Sequence, residues 1–340
     1  MTGATDRLKQ MMPDRWSKNE LVHKQKKQAY ERPLLTRKEI LDLRYRIEEE
    51  RKASAYKHEV EHRTLGDARS IHRGYGLDYD ESRPYYPGDE LRFMNWRATA
   101  RSGEPQMKVF REERRPAVFI VVDRRQSMQF GTKRRLKITQ AVRAAAIIAF
   151  DARLHNTPVA GVLLESSQVS GLEAGQQSNL TWVEESSTES GVFHFIDMSN
   201  QPCPPHQVLE NTPPPALSDV INLLTPMLAL GSSVVLISDF HDLDSDCRSS
   251  LLELSMTHHL QAIQIIDPAE KSLTACGNLL LQSNDQSITA INSSDKEMRE
   301  KYQLAAGDYL LSKQTLFRSL GISCQTLMTN EDHIESMVKV

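Results

Sequence analysis

Apolar residues follow two different rhythms along this chain. From residue 116 onward, short unbroken apolar runs alternate with segments of helical period; before that the pattern is charged and rich in turn residues. Pro116–Val122 carries a continuous apolar run with β-branched members, as in a strand covered on both faces of a parallel sheet. Ile138, Ala141, Val142, Ala145, Ile148 and Ala149 then recur at helical spacing, predicting an amphipathic helix over 133–153. Val159–Leu164 reads as a second strand, and Leu180–Val183 and Val192–Ile196 as the arms of a hairpin. Beyond a proline-rich connection at 202–215, the pattern predicts a helix over 214–230, a buried strand Val234–Ser238, a helix over 245–257 and a strand Gln261–Ile266. Asn278–Leu281 and Ile288–Ile291 read as a short edge pair. A helix over 296–320 and a strand Ile322–Leu327 close the chain. Strands alternating with helices predict an α/β fold, a doubly wound and mostly parallel sheet over 116–340.

Upstream, Thr36-Arg37-Lys38-Glu39 forms a capping-box pattern before Ile40, Leu41, Leu43 and Ile47, predicting a helix over 37–53. The domain reading is a charged helical region over 1–60, a segment over 61–115 of Arg, Tyr, Gly and Pro built from turns and short strands, and the α/β domain.

Composition narrows the class. The 340 residues hold four widely spaced cysteines with no Cys-x-x-Cys, which argues against a disulfide framework or zinc ribbon and fits a reducing cytosol. No apolar run approaches the roughly 20 residues of a membrane span. The start MTGATDRLKQ lacks a signal-peptide core, so the expected location is cytoplasmic. Net charge is −3, but residues 1–160 sum to +12 and 161–340 to −15. That asymmetry admits an alternative reading, nucleic-acid or anionic-surface binding through the basic N-terminal half. Mixed charge signs and the absence of a nucleic-acid motif weigh against it.

In a doubly wound sheet, ligands bind outside the carboxyl ends of the strands, at the point where strand order reverses. Two acidic residues fall at predicted strand ends: Asp123, opening Asp123-Arg124-Arg125-Gln126-Ser127-Met128, and Asp239 in Leu236-Ile237-Ser238-Asp239-Phe240.

The run Arg83-Pro-Tyr85-Tyr-Pro-Gly88-Asp89-Glu-Leu-Arg92-Phe-Met-Asn-Trp96-Arg-Ala-Thr-Ala-Arg101, continued by Val109–Glu113 and the strand ending at Asp123, resembles the signature of the bacterial domain-of-unknown-function 58 family. The resemblance implies a von Willebrand factor A-like domain and association with MoxR-type AAA+ ATPases. It further implies a metal-ion-dependent adhesion site, in which an Asp-x-Ser-x-Ser loop, a Thr and a later Asp hold Mg²⁺. Position by position, Asp123, Ser127, Thr212 and Asp239 match. Arg125 departs from the pattern, standing where the first Ser belongs; arginine cannot ligate a metal and stays charged. Two readings follow: a Mg²⁺ site, or a site whose cation is the chain's own guanidinium, with no resident metal. The sequence favours the second.

Within the signature, Arg83, Asp89, Arg92 and Arg101 form either an ion-pair clasp or a face for a partner. Tyr85 and Trp96 read as buried anchors before contacts, although Trp96 is also a candidate partner contact. Arg124 and Arg125 complete the expected partner-binding set. Asp242-Leu243-Asp244-Ser245-Asp246 with Glu253 has a calcium-loop spacing, but Cys247 occupies the glycine position, so these residues read as helix-capping. Cys203-Pro-Pro-His206 lacks a second ligand pair, and His258 and His259 point to opposite faces. Asp123 as a phosphatase nucleophile would want a second Asp where Arg125 stands. The expectation is a non-enzymatic adaptor or co-chaperone that binds a MoxR-type AAA+ ATPase, a protein client, or both.

Overall fold

The computed structural model describes residues 32–62, 78–86, 90, 92, 94–111, 116–165, 179–203, 215–282 and 288–333. Thr212 and Asp89, like His206 and the basic residues before 32, lie outside these described residues. The chain divides into two compact units. One joins the residues up to Ser54 with those from Pro116 on; the other is Ala55–Arg115.

The larger unit is built on a six-stranded sheet of order β10-β7-β6-β3-β4-β5. Its strands are β3 (Val118–Arg124), β4 (Val159–Glu165), β5 (Leu180–Ser186), β6 (Ser233–Ser238), β7 (His259–Ile266) and β10 (Ser323–Met328). All neighbours pair in parallel except β5, which runs antiparallel to β4. The sheet is buried on both faces because β3 alternates between two cores. Val118, Ile120 and Val122 point into one, Phe119 and Val121 into the other.

The first core is closed by three helices: α1 (Arg37–His62), α3 (Lys137–Leu154) and α4 (Glu189–Ser199). Ile40, Leu43 and Ile47 of α1 join it at the predicted helical spacing. The second core is closed by α5 (Leu217–Leu224), α6 (Ser245–Ser255) and the C-terminal end of α8 (Lys296–Ser319), through Val220, Leu251 and Phe317. A short helix α7 (Pro268–Lys271) follows β7, and β8 (Asn278–Gln282) pairs antiparallel with β9 (Ile288–Asn292).

The smaller unit pairs β1 (Asp78–Pro84) antiparallel with β2 (Gln106–Arg111) and contains α2 (Trp96–Ser102). Asn95 caps α2 by accepting from the Ala98 N–H at 3.2 Å, and Gly103 ends it at φ +76°.

Two expectations are corrected. Val192–Ile196 is no hairpin arm but the middle of α4. Thr188 accepts from the Gly191 N–H at 3.1 Å to start a helix, and Val192, Phe195, Ile196 and Ser199 then face the core at intervals of three and four. Trp96 is no buried anchor. It is 68% exposed at the first position of α2, a helix that buries none of its residues.

Candidate functional site

The parallel strands present their carboxyl ends on one side of the sheet, and the order reverses between β3 and β6. From β3 the chain passes to β4 on one flank, and it later enters β6 on the other. Asp123 is the penultimate residue of β3, and Asp239 directly follows β6. Both are buried at that switch point, as the strand pattern predicts.

The Asp123 carboxylate is fully engaged. Arg125 grips it with Nε to Oδ1 at 3.0 Å and Nη2 to Oδ2 at 2.8 Å, while the Arg125 backbone N–H donates to Oδ1 at 2.9 Å. The Ser238 hydroxyl adds a bond to Oδ2 at 2.6 Å. The other edge of the Arg125 fork donates to Asp242 and to the Pro215 carbonyl, the latter at 3.1 Å. One guanidinium, 3% exposed, thus ties the β3 loop to the loop after β6 and to the entry of α5. Burial opposes its charge, but Asp123 and Asp242 outweigh burial and raise its pKa further. Asp242, where burial acts in the opposite direction, is held below the usual carboxylate range by its Arg125 bond.

A second internal cation serves Asp239. Lys137, at the start of α3, donates to Asp239 Oδ2 and to Glu270 Oε1, each at 2.7 Å, and is 2% exposed. Burial would raise the Asp239 pKa; the bond from His241 and the Lys137 charge reverse that and pull it down. Lys313 of α8 donates to the Asp239 backbone carbonyl at 2.8 Å, and burial draws its pKa down to about 8.

Ser127, His241 and Asp239 stand in a row that invites comparison with a nucleophilic triad. Their geometry does not supply one. Ser127 Oγ is 3.2 Å and Asp239 Oδ1 3.0 Å from the same imidazole atom, Nδ1. A triad needs the carboxylate and the hydroxyl on opposite ring nitrogens, so that one holds the ring while the other removes a proton. With both on Nδ1 there is no relay.

One ligand atom from each of Asp123, Asp239 and His241 lies within 4.8 Å of the others, close enough to suggest a metal centre. The arrangement does not fit Mg²⁺, which needs nearly octahedral oxygen ligands and a local excess of negative charge. Both Asp123 oxygens already accept N–H groups of Arg125, Asp239 Oδ2 accepts from Lys137, and two buried cations would sit against the ion. Of the sequence-derived ligands, Asp123, Ser127 and Asp239 converge here. Arg125 stands among them as their counter-ion.

Arg124 and Arg125, expected to face a partner, are corrected to interior residues. Arg124 is 3% exposed; its guanidinium donates to the carbonyls of Ser199 and, at 3.1 Å, Gln201. Its Nε lies 2.7 Å from Glu165 Oε1 but outside the hydrogen-bonding direction. The reason is chain placement: the last residue of a central strand and the one after it point into the packed end of the sheet. Arg83 donates to the Pro84 carbonyl at 3.1 Å and stacks over Tyr86, Arg92 pairs with Glu90, and Arg101 is exposed in the last turn of α2. Lys137, His241, Asp242, Glu270 and Lys313 were not anticipated as site residues. Asp244, read as a cap, does cap α6 by accepting from the Cys247 N–H at 2.8 Å.

Sequence comparison assigns the chain to a family. Residues 81–309 match the family described as "Protein of unknown function DUF58", and the chain belongs to it. Among its relatives, "Uncharacterized protein Mb1516" of Mycobacterium bovis and "Uncharacterized protein Rv1480" of Mycobacterium tuberculosis are each 26% identical over 276 residues, 81% of this chain and 81% of theirs. Two solved structures overlap 66% of this chain and 95% of their own. The conserved hypothetical protein BatB of Bacteroides thetaiotaomicron does so with a TM-score of 0.40 at 12% identity. An aerotolerance-related membrane protein of Bacteroides fragilis does so with a TM-score of 0.39 at 14% identity. No helix among the described residues is long and apolar enough to cross a membrane.

Proposed function

We propose that this protein is a non-enzymatic docking module whose partners bind at the carboxyl end of the parallel sheet, around Asp123, Ser127 and Asp239, without a metal ion. The reading takes the site as von Willebrand A-like in position and altered in chemistry. Where an adhesion-type site would use a cation to join its loops to a partner, Arg125 and Lys137 join the loops internally.

The observation that carries this reading is the Arg125 fork spanning Asp123 and Asp242. It fixes the β3 and β6 loops as one rigid platform, and Gln126 is exposed beside it while Ser127 and His241 are half-buried. Rigid, pre-formed loops on a scaffold lower the entropy cost of binding a partner. On this reading the partner is a MoxR-type AAA+ ATPase, its client, or both. The ATPase supplies the work and this chain the recognition, which accords with a site lacking a proton relay. Co-purification of the full chain with the MoxR-type ATPase of the same genome, in both nucleotide states, tests the pairing. Recovery of a complex that survives removal of free divalent ions from this chain beforehand supports the reading. Absence of a complex in either state contradicts it.

A further inference from the structure

A cavity of about 260 Å³ lies where the loop before α3 meets α1 and the segment after β10. Four arginines line it: Arg46 from α1, Arg134 and Arg135 from the loop, and Arg143 from α3. Its carboxylates are Glu39, Asp42 and Asp332, and Leu43 is the one apolar residue among its described lining. Two of the carboxylates serve α1 itself. Glu39 accepts from the Thr36 N–H and hydroxyl, each at 2.9 Å, in the helix cap, and Asp42 pairs with Arg46 at 2.7 Å.

Asp332 is the carboxylate on which the other arginines converge. Arg134 and Arg135 both donate to it. The bond from Arg135, with the charges of Arg134 and Arg143 added, holds its pKa below the usual carboxylate range. Yet the Asp332 side chain is 38% exposed, and the frame around it is fixed without its carboxylate. Arg135, Gln140 and Arg143 donate to the Glu331 carbonyl at 3.2, 3.0 and 3.1 Å, and Arg143 donates to the Asp332 carbonyl at 2.6 Å. The loop is held as firmly. The Lys137 N–H donates across it to the Phe130 carbonyl at 2.8 Å, and the Thr132 N–H donates to Asp267 at 2.9 Å. The turn is tight enough that a Cβ on Gly131 would lie 2.8 Å from the Leu136 Cα. The Asp332 side chain can therefore swing outward while the backbone and the guanidinium forks stay in place.

Guanidinium forks match pairs of phosphate oxygens as well as they match a carboxylate. A phosphate group brings about three acceptor oxygens and up to about two negative charges, against the two oxygens and single charge of Asp332. The small, polar cavity offers no apolar wall for a nucleobase or an acyl chain. We propose that this cavity binds a phosphate group, which displaces the Asp332 carboxylate and takes the forks of Arg134, Arg135 and Arg143. The phosphate is free, or it is the phosphoryl end of a small phosphorylated compound. The proposal goes beyond the docking reading and does not depend on it.

Calorimetric titration of the full chain with sodium phosphate and with glycerol 3-phosphate, at an ionic strength held constant with NaCl, tests it. The expected result is saturable binding at one site. Arg135→Gln should weaken that binding at least about tenfold. Arg134→Gln, at a side chain 64% exposed, should weaken it roughly threefold and carries the test if Arg135→Gln fails to fold. Asp332→Asn removes the competing carboxylate and should tighten binding about fivefold, a change of sign that a merely structural role would not produce. Binding of phosphate alone identifies the free ion as the ligand, and equal binding of glycerol 3-phosphate admits the ester; either supports the proposal. Absence of saturable binding by both compounds overturns it. So does binding that is unchanged in a folded arginine variant, or that is no tighter in Asp332→Asn. None of these failures touches docking at the carboxyl end of the sheet, which the co-purification tests separately.

Discussion

Replacing Arg125 with Ser perturbs the lattice at its centre. The substitution removes the fork on both Asp123 oxygens and the bonds to Asp242 and Pro215, leaving two carboxylates, one of them 1% exposed, without their cation. Breaking a buried pair from one side costs about 3–5 kcal/mol. At about 2–4 °C per kcal/mol for a domain of this size, the melting temperature should fall by roughly 6–20 °C. The same change restores the Asp-x-Ser-x-Ser spacing from Asp123 to Ser127 and frees the Asp123 oxygens, so the variant, unlike the unaltered protein, should gain stability from Mg²⁺. With a Kd of about 1 mM, 10 mM MgCl₂ would contribute about 1.4 kcal/mol. Thermal melts by circular dichroism in EDTA, in MgCl₂ and in NaCl of matched ionic strength read all of these effects. A Mg²⁺-specific rise in the unaltered protein would refute the internal-cation reasoning, as would a loss below about 1 kcal/mol in the variant.

Other consequences follow from the same coordinates. Asp239 and Asp242 have depressed pKa values, so they contribute stability above the ordinary carboxylate range near pH 4, and that contribution is lost as pH falls through their folded values. Asp242→Asn should therefore destabilise the protein at pH 7, and the difference from the unaltered protein should shrink in acid melts toward pH 3; an unchanged difference would contradict the assignment. Gly161→Ala places a Cβ 2.5 Å from the Ile120 carbonyl oxygen and 2.6 Å from the Phe195 ring, and should cost at least about 1–3 kcal/mol in urea denaturation. Cys276 is exposed, whereas Cys203 and Cys247 are buried and burial pushes the Cys247 thiol up to about 12. Timed alkylation read by mass spectrometry should modify Cys276 first and reach Cys247 only on unfolding.

Much of the fold was legible because each central strand carries its own signal. The β3 and β6 runs are apolar on both faces, and their ends place Asp123 and Asp239 without further information. The misread strand at Val192–Ile196 shows the limit of short windows. Five residues rich in Val, Phe and Ile satisfy a strand pattern, and only the Thr188 cap and the wider spacing to Ser199 reveal a helix. The site was legible where its partners are close in sequence: Arg125 stands two residues from Asp123, so its capture of that carboxylate could be anticipated. The opposite holds for Lys137, which lies 102 residues from Asp239 and 133 from Glu270. Nothing in a helix-start lysine announces those contacts, because the parallel topology alone brings them together. Asp242 was hidden for another reason, since its neighbours Asp244 and Asp246 made it read as part of a helix cap.

Photo-crosslinking from position 126 tests the central claim most directly. Gln126 is exposed beside the lattice, and Met256, 80% exposed just before β7, marks the opposite end of the sheet. With a benzophenone amino acid at each position in turn, and the MoxR-type ATPase or its client in the mixture, position 126 should yield a crosslinked complex and position 256 should not. Equal capture at both positions, or capture at 256 alone, would contradict docking at the carboxyl end of the sheet.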